Sequence, residues 1–139
     1  QMTEAKVQPK NAIIIETGGM KGRGKELTRN ELHRVLQKHL QPKAIHSEYG
    51  MTELLSQAYL QDDLFTPPKW LKPLARDTTD PLTSKLEGKG ALNFIDLANL
   101  YSCSFIATDD LGTVTKDGNF SVSGRIDHSQ IRGCNLLVL

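Results

Sequence analysis

Ser47-Glu48-Tyr49-Gly50-Met51-Thr52-Glu53 is the stretch on which the reading of this chain turns. Ala44-Ile45-His46, just before it, reads as a short strand that feeds a loop from Ser47 to Glu53. Met51 to Leu60, overlapping its end, fits helix and strand periodicity equally. Upstream, Pro42 ends a helix whose start is marked by a capping box. Thr28 can accept a bond from the amide of Glu31, and Glu31 can reach back to Thr28. Leu32, Val35, Leu36 and Leu40 fall on one face of that helix. Ahead of it lie a β-branched run, Ala12-Ile13-Ile14-Ile15, read as a buried strand, and the breaker Glu16-Thr17-Gly18-Gly19.

Downstream the texture changes. Phe65 to Pro81 holds four prolines and reads as an irregular surface segment. From Gly88 onward short strands are expected near Ala91–Asp96, Ser104–Thr108, Thr113–Val114 and Phe120–Val122. Asp117-Gly118-Asn119 is a hairpin turn signal. The fold class that follows is α/β. A strand, glycine-rich loop, helix and strand make the first half, and a β-rich second half follows. The apolar tail, Ile131 to Leu139, ends without a turn or cap and is expected to pack on something.

Composition narrows the function. The 139 residues are 38% hydrophobic and 24% charged, the balance of a globular chain. No apolar run reaches the ~18 residues that suggest a membrane span, and Gln1 to Lys10 is polar, so neither a span nor a signal peptide is expected. Net charge is +1, which implies no nucleic-acid partner. The charge is uneven: residues 1–43 carry nine Lys/Arg against four Asp/Glu, and residues 44–139 carry eight against twelve. The basic end could face phosphates or be a solvated helix. Cys103 and Cys134 are the only cysteines, too few for a disulfide scaffold or a zinc site, and a cytoplasmic setting fits best.

Gly19-Met20-Lys21-Gly22-Arg23-Gly24-Lys25 matches the first seven positions of a phosphate-binding P-loop. Position 26 is then Glu, where a hydroxyl should hold magnesium and where a carboxylate would repel phosphate. Two readings remain: a flexible basic turn, or glycines that let a nucleotide base approach main-chain amides.

Tyr49-Gly50-Met51-Thr52-Glu53 resembles the Tyr-Gly-x-Thr-Glu signature of the adenylate-forming superfamily, which includes acyl-CoA ligases, peptide-synthetase adenylation domains and luciferases. By that resemblance Tyr49 stacks on adenine, Thr52 donates to the α-phosphate and Glu53 holds Mg²⁺ through a hard oxygen ligand. Thr108-Asp109-Asp110-Leu111-Gly112 resembles the family's Thr-Gly-Asp, with Asp109 in place of Gly. The resemblance makes Asp110 the acceptor for both ribose hydroxyls. Gly124-Arg125-Ile126-Asp127, followed by Ile131-Arg132-Gly133, looks like the family's hinge, where Arg125 contacts the nucleotide and Asp127 is the pivot. Gly18, Gly19 and Met20 sit where the family has its adenine loop, and the longer basic form looks like that of LuxE-type acyl-protein synthetases. In that branch an acyl chain passes from acyl-AMP to a cysteine near the C-terminus. Cys134 corresponds, with Arg132 nearby to lower its pKa. The plainer reading of Cys134 is a small buried residue in an apolar tail, and Cys103, in a strand-like run, is expected in the core.

The resemblance spans roughly residues 12 to 135. The expected division is 1–124 as the C-terminal part of the adenylation large domain and 125–139 as hinge and short tail. Two family parts have no match: the Ser/Thr/Gly-rich phosphate loop ahead of the first motif, and the small domain with its catalytic lysine. A fragment or split protein is therefore expected, partnered by the missing N-terminal part. The implied activity is ATP- and Mg²⁺-dependent activation of a carboxylic or fatty acid, with transfer to a protein thiol on this chain or on an acyl-acceptor protein. The alternatives are a CoA ligase of the phenylacetate type and a non-catalytic nucleotide-binding or interaction module.

Overall fold

A computed structural model describes residues 11–18 and 27–126. The chain divides into two compact units, Gln1–Ser47 and Glu48–Leu139.

The first unit holds strand β1 (Ile13–Thr17), helix α1 (Arg29–Leu40) and most of strand β2 (Ala44–Tyr49). The expected capping box is formed. Glu31 N donates to Thr28 Oγ at 3.3 Å and Thr28 N donates to Glu31 Oε2 at 2.8 Å. The bonds from Thr28, main chain first, hold the Glu31 carboxyl below its ordinary pKa. Gln41 closes the helix in the left-handed conformation (φ 47°) with its N–H on Gln37 O, and Pro42 cannot continue it. Lys43 N donates to Ala12 O at 2.8 Å, so β2 starts beside β1. The expectation of a buried first strand is corrected: Ile13 and Ile15 are exposed, because the strand alternates and only its other face is half-buried. On that face Glu16 Oε1 lies 3.7 Å from His33 Nε2 and 3.9 Å from Arg29 Nε, both on α1.

The second unit holds β3 (Ala58–Gln61), β4 (Leu64–Thr66), β5 (Leu71–Arg76), β6 (Ser84–Lys85), β7 (Gly88–Asp96), β8 (Phe105–Val114) and β9 (Phe120–Arg125). Beginning from Glu48 and Tyr49 of β2, neighbouring strands run β2-β3-β4-β9-β8-β7-β5-β6, and each of these pairings is antiparallel. Asp62 (φ 54°) makes the tight corner between β3 and β4. Gly118 (φ 79°) makes the corner between β8 and β9, where the Asp-Gly-Asn signal predicts it.

Three expectations are corrected here. The proline-rich segment is not irregular throughout: Leu71–Arg76 form β5, with Pro73 inside it opposite Phe94. Only Ala75 and Arg76 of β5 pair with β6, so Pro73 has a neighbour on one side only, the position that tolerates a missing N–H. Ser47 to Tyr49, read as loop, continue β2. Asp109 to Gly112, left between the two short strands expected at Ser104–Thr108 and Thr113–Val114, lie within the single long strand β8.

Leu92, Phe94, Val114 and Phe120 are almost fully buried, joined by Leu54, Ala58, Phe65, Leu71 and Ala75. Even-numbered residues of β8 face this core, so Asp110 shares a face with Val114. Among the described residues no helix is long and apolar enough to cross a membrane.

Candidate nucleotide site

Asp110 is the centre of the site. Tyr49 Oη donates to its Oδ2 at 2.7 Å, across 61 residues of sequence. Arg125 Nε lies 3.1 Å from its Oδ1. The main chain at Asp110 is held as well: its N–H donates to Thr108 Oγ1 at 3.1 Å, and that hydroxyl donates to Leu92 O at 2.7 Å.

Two irregularities of the sheet build this cluster. Between β7 and β8, Ala91 pairs with Leu111 and Asn93 with Ala107, so Thr108, Asp109 and Asp110 stand opposite Leu92 alone. Such a bulge re-aims side chains at the point where the ladder is interrupted. Arg76 Nη2 donates to Thr108 O at 2.9 Å and closes the opening. Between β8 and β9, Gly112 pairs with Val122 and Leu111 with Gly124, which leaves Ser123 without a residue opposite it, its hydroxyl on Leu111 O, and sets Arg125 opposite Asp110.

Tyr49 comes to Asp110 from inside. Its ring packs against Phe65, Phe94 and Phe120 at centroid separations of 5.7, 5.4 and 5.1 Å. Burial, and after it the charge of Asp110 and the bond to it, raise the phenol pKa well above the ordinary value of 10.0. The hydroxyl therefore stays protonated as a donor. The ring expected to stack on adenine is thus already in contact with three phenylalanines.

Gly50 follows Tyr49 at the surface, and Met51 packs partly against the core. Leu54 N donates to Met51 O at 3.1 Å, so Thr52 and Glu53 occupy the two corner positions of a turn, both exposed. Asn99 Nδ2 donates to Glu53 O at 2.7 Å. Asn99 and the buried Asp96 form part of this region, and the sequence reading passed over both. The available signal was local: an Asp ending a strand just before Leu-Ala-Asn is a helix-cap pattern.

Among the described residues no three His, Cys, Asp or Glu side chains gather into a metal-binding group. Magnesium does not require one, since it is commonly held by one or two carboxylates with water and phosphate oxygens. An exposed Glu53 on a turn fits that mode.

Gly18 (φ 76°) ends β1 in the first unit. Gly19, Met20, Asp127 and Cys134 lie outside the described residues. Arg125, read as the first residue of the hinge, is the last residue of β9, and Ile126 N continues the ladder to Asp109 O at 2.9 Å. Cys103 is corrected: it is exposed, because it follows the short 3₁₀ turn Leu97–Asn99 and precedes β8 instead of sitting in a strand.

No model of a known protein family matches the chain, and no curated protein matches it. Among solved structures it is similar to the inhibitor-bound N-terminal domain of FACL13 from Mycobacterium tuberculosis, with 12% identity and a TM-score of 0.49 over 82% of this chain and 31% of that one. It is also similar to the luciferase-like enzyme from the nonluminescent Zophobas morio mealworm, with 19% identity and a TM-score of 0.49 over 82% of this chain and 32% of that one. The chain thus spans about a third of the length of each.

Proposed function

We propose that this chain supplies the nucleotide-holding part of an adenylate-forming ligase, which activates a carboxylic acid with ATP and passes the acyl group to a thiol. In the first step a carboxylate oxygen bonds to the α-phosphorus and pyrophosphate leaves. In the second a thiolate attacks the acyl carbonyl and AMP leaves. Asp110 takes the ribose hydroxyls. Each of its oxygens, although bonded to Tyr49 or Arg125, keeps a further lone pair for a ligand. Arg125 lies beside the same ligand as a fixed positive charge. Thr52 donates to phosphate, and Glu53 holds magnesium, which neutralises phosphate charge when bound. Gly18, Gly19 and Met20 flank the base. Cys134 is the acyl acceptor in the LuxE-type form of this reading, and a fatty acid is the substrate class that goes with it.

The observation that supports the proposal is the meeting of three sequence motifs on one carboxylate. Tyr49, Asp110 and Arg125 come from separate segments, and each belongs to a stretch that resembles a nucleotide-contacting motif.

The test is calorimetric titration of the chain with ATP and Mg²⁺, wild type against Asp110→Ala. Binding by the wild type that falls at least tenfold in the variant, with both proteins melting as folded species, is the expected result. Equal binding by both would remove Asp110 from the site and the ligase reading with it. Acyl labelling from acyl-AMP, compared between wild type and Cys134→Ala, decides the acceptor: label retained in the variant excludes Cys134.

A further inference from the structure

We propose that Asp96 and Asn99 are positioning residues for nucleotide binding, holding the Thr52–Glu53 turn in the shape that meets magnesium and phosphate. This rests on the ligase reading above and adds to it a pair of side chains outside all its motifs.

Asp96 ends β7 and is fully buried. Its Oδ2 accepts from Leu55 N at 3.0 Å and from Ser56 N at 2.9 Å. Its Oδ1 accepts from Ser56 Oγ at 2.7 Å and from Ala98 N at 3.1 Å. A residue that merely capped the 3₁₀ turn would need only the bond to Ala98. Three of the four bonds instead reach across the fold to residues 55 and 56.

Asn99, also buried, completes the grip on the near side by donating to Glu53 O, while its Oδ1 accepts from Ser102 Oγ. Trp70 Nε1 donates to Ser56 Oγ at 3.0 Å and fixes that hydroxyl. Leu54, between the two grips, is sunk in the core. The segment is therefore pinned at Glu53 O, at Leu54, and at the amides of Leu55 and Ser56, while the corner residues Thr52 and Glu53 stay exposed. Backbone polar groups held this thoroughly leave the turn one conformation, the condition for presenting a hydroxyl and a carboxylate at fixed separation.

The test is titration of the full chain with AMP and, separately, with ATP over a range of Mg²⁺ concentrations, comparing wild type with Asn99→Asp and Ser56→Ala. Asn99→Asp keeps the acceptor for Ser102 and loses the donor to Glu53 O. The magnesium needed for half-maximal ATP binding should rise about tenfold or more, the scale of losing a partner that orients a ligand, while AMP affinity, which depends on Asp110, changes less than about twofold. Ser56→Ala, the milder change, should move the magnesium requirement in the same direction by a smaller factor. A parallel loss for AMP and Mg-ATP in a folded variant, or no change for either, overturns the positioning role and leaves the nucleotide reading standing. Failure of the wild type to bind AMP or ATP overturns the nucleotide reading itself, and this inference falls with it.

Discussion

Arg125 stands directly across the ladder from Asp110 because β9 carries one residue more than β8 at Ser123. Strict alternation from Phe120 and Val122 would put Gly124 on the core face and Arg125 on the other. The extra residue exchanges them, and the guanidinium comes within 3.1 Å of the carboxylate. That ion pair is well placed for a ligand and poorly placed to hold the fold, since the Arg125 side chain is 40% exposed.

Arg125→Ala should accordingly separate function from stability. Unfolding free energy should fall by less than about 1 kcal/mol, as for a screened surface pair. ATP affinity should fall about tenfold, near the scale of one charge-assisted bond. Urea denaturation and calorimetry on the same preparation check both halves.

Tyr49→Phe keeps the ring among Phe65, Phe94 and Phe120 and removes the donor to Asp110. At neutral pH it should cost about 1 kcal/mol. At alkaline pH the sign follows from burial. The unfolded phenol loses its proton near 10.0 while the folded one, with its pKa raised, keeps it. Wild-type stability should therefore decline as pH rises past 10.0, more steeply than that of the variant, and the gap between them should narrow. Urea midpoints measured on both sides of that pH decide it. A gap that stays constant would show that Tyr49 titrates normally.

Gly90→Ala should destabilise by about 1–3 kcal/mol, the range for overpacking. A Cβ at Gly90 would fall 2.3 Å from Arg76 O, which is backbone and cannot rotate away. Because Arg76 also bridges to Thr108 O, the change should loosen the bulge that carries Asp110. Faster amide exchange at Asp109 and Asp110 is the expected accompaniment.

Phe120→Ala should cost about 3–5 kcal/mol, the range for truncating a buried aromatic. Phe120 is fully buried and touches Tyr49, Phe65 and Phe94 at once. Thermal melting should show a large fall, and near-ultraviolet dichroism should lose the signal of the ring cluster.

What could be read from the sequence was what depends on a few neighbouring residues. Thr28 and Glu31 form their cap because both partners lie within one turn of helix. Asp117-Gly118-Asn119 turns the chain because a glycine with positive φ needs no outside help. Pro73 was misread because its tolerance depends on how far β6 extends, a property of another strand. The strand β8 was read as two pieces because a bulge opposite Leu92 depends on the register of β7. The Tyr49, Asp110 and Arg125 group was accessible only through a family resemblance, since nothing local joins them. Asp96 and Asn99 went unnoticed because their partners lie 40 to 46 residues away.

At its far margin the sheet of the second unit stops at β6, which is two residues long and ends in Lys85. Because β6 covers only Ala75 and Arg76, the outer edge of β5 from Leu71 to Leu74 has no strand partner among the described residues, and Pro73 in its middle has no N–H to offer an incoming strand. The proline that interrupts that open edge, and not the two-residue β6 strand, is therefore what limits pairing with a second copy there.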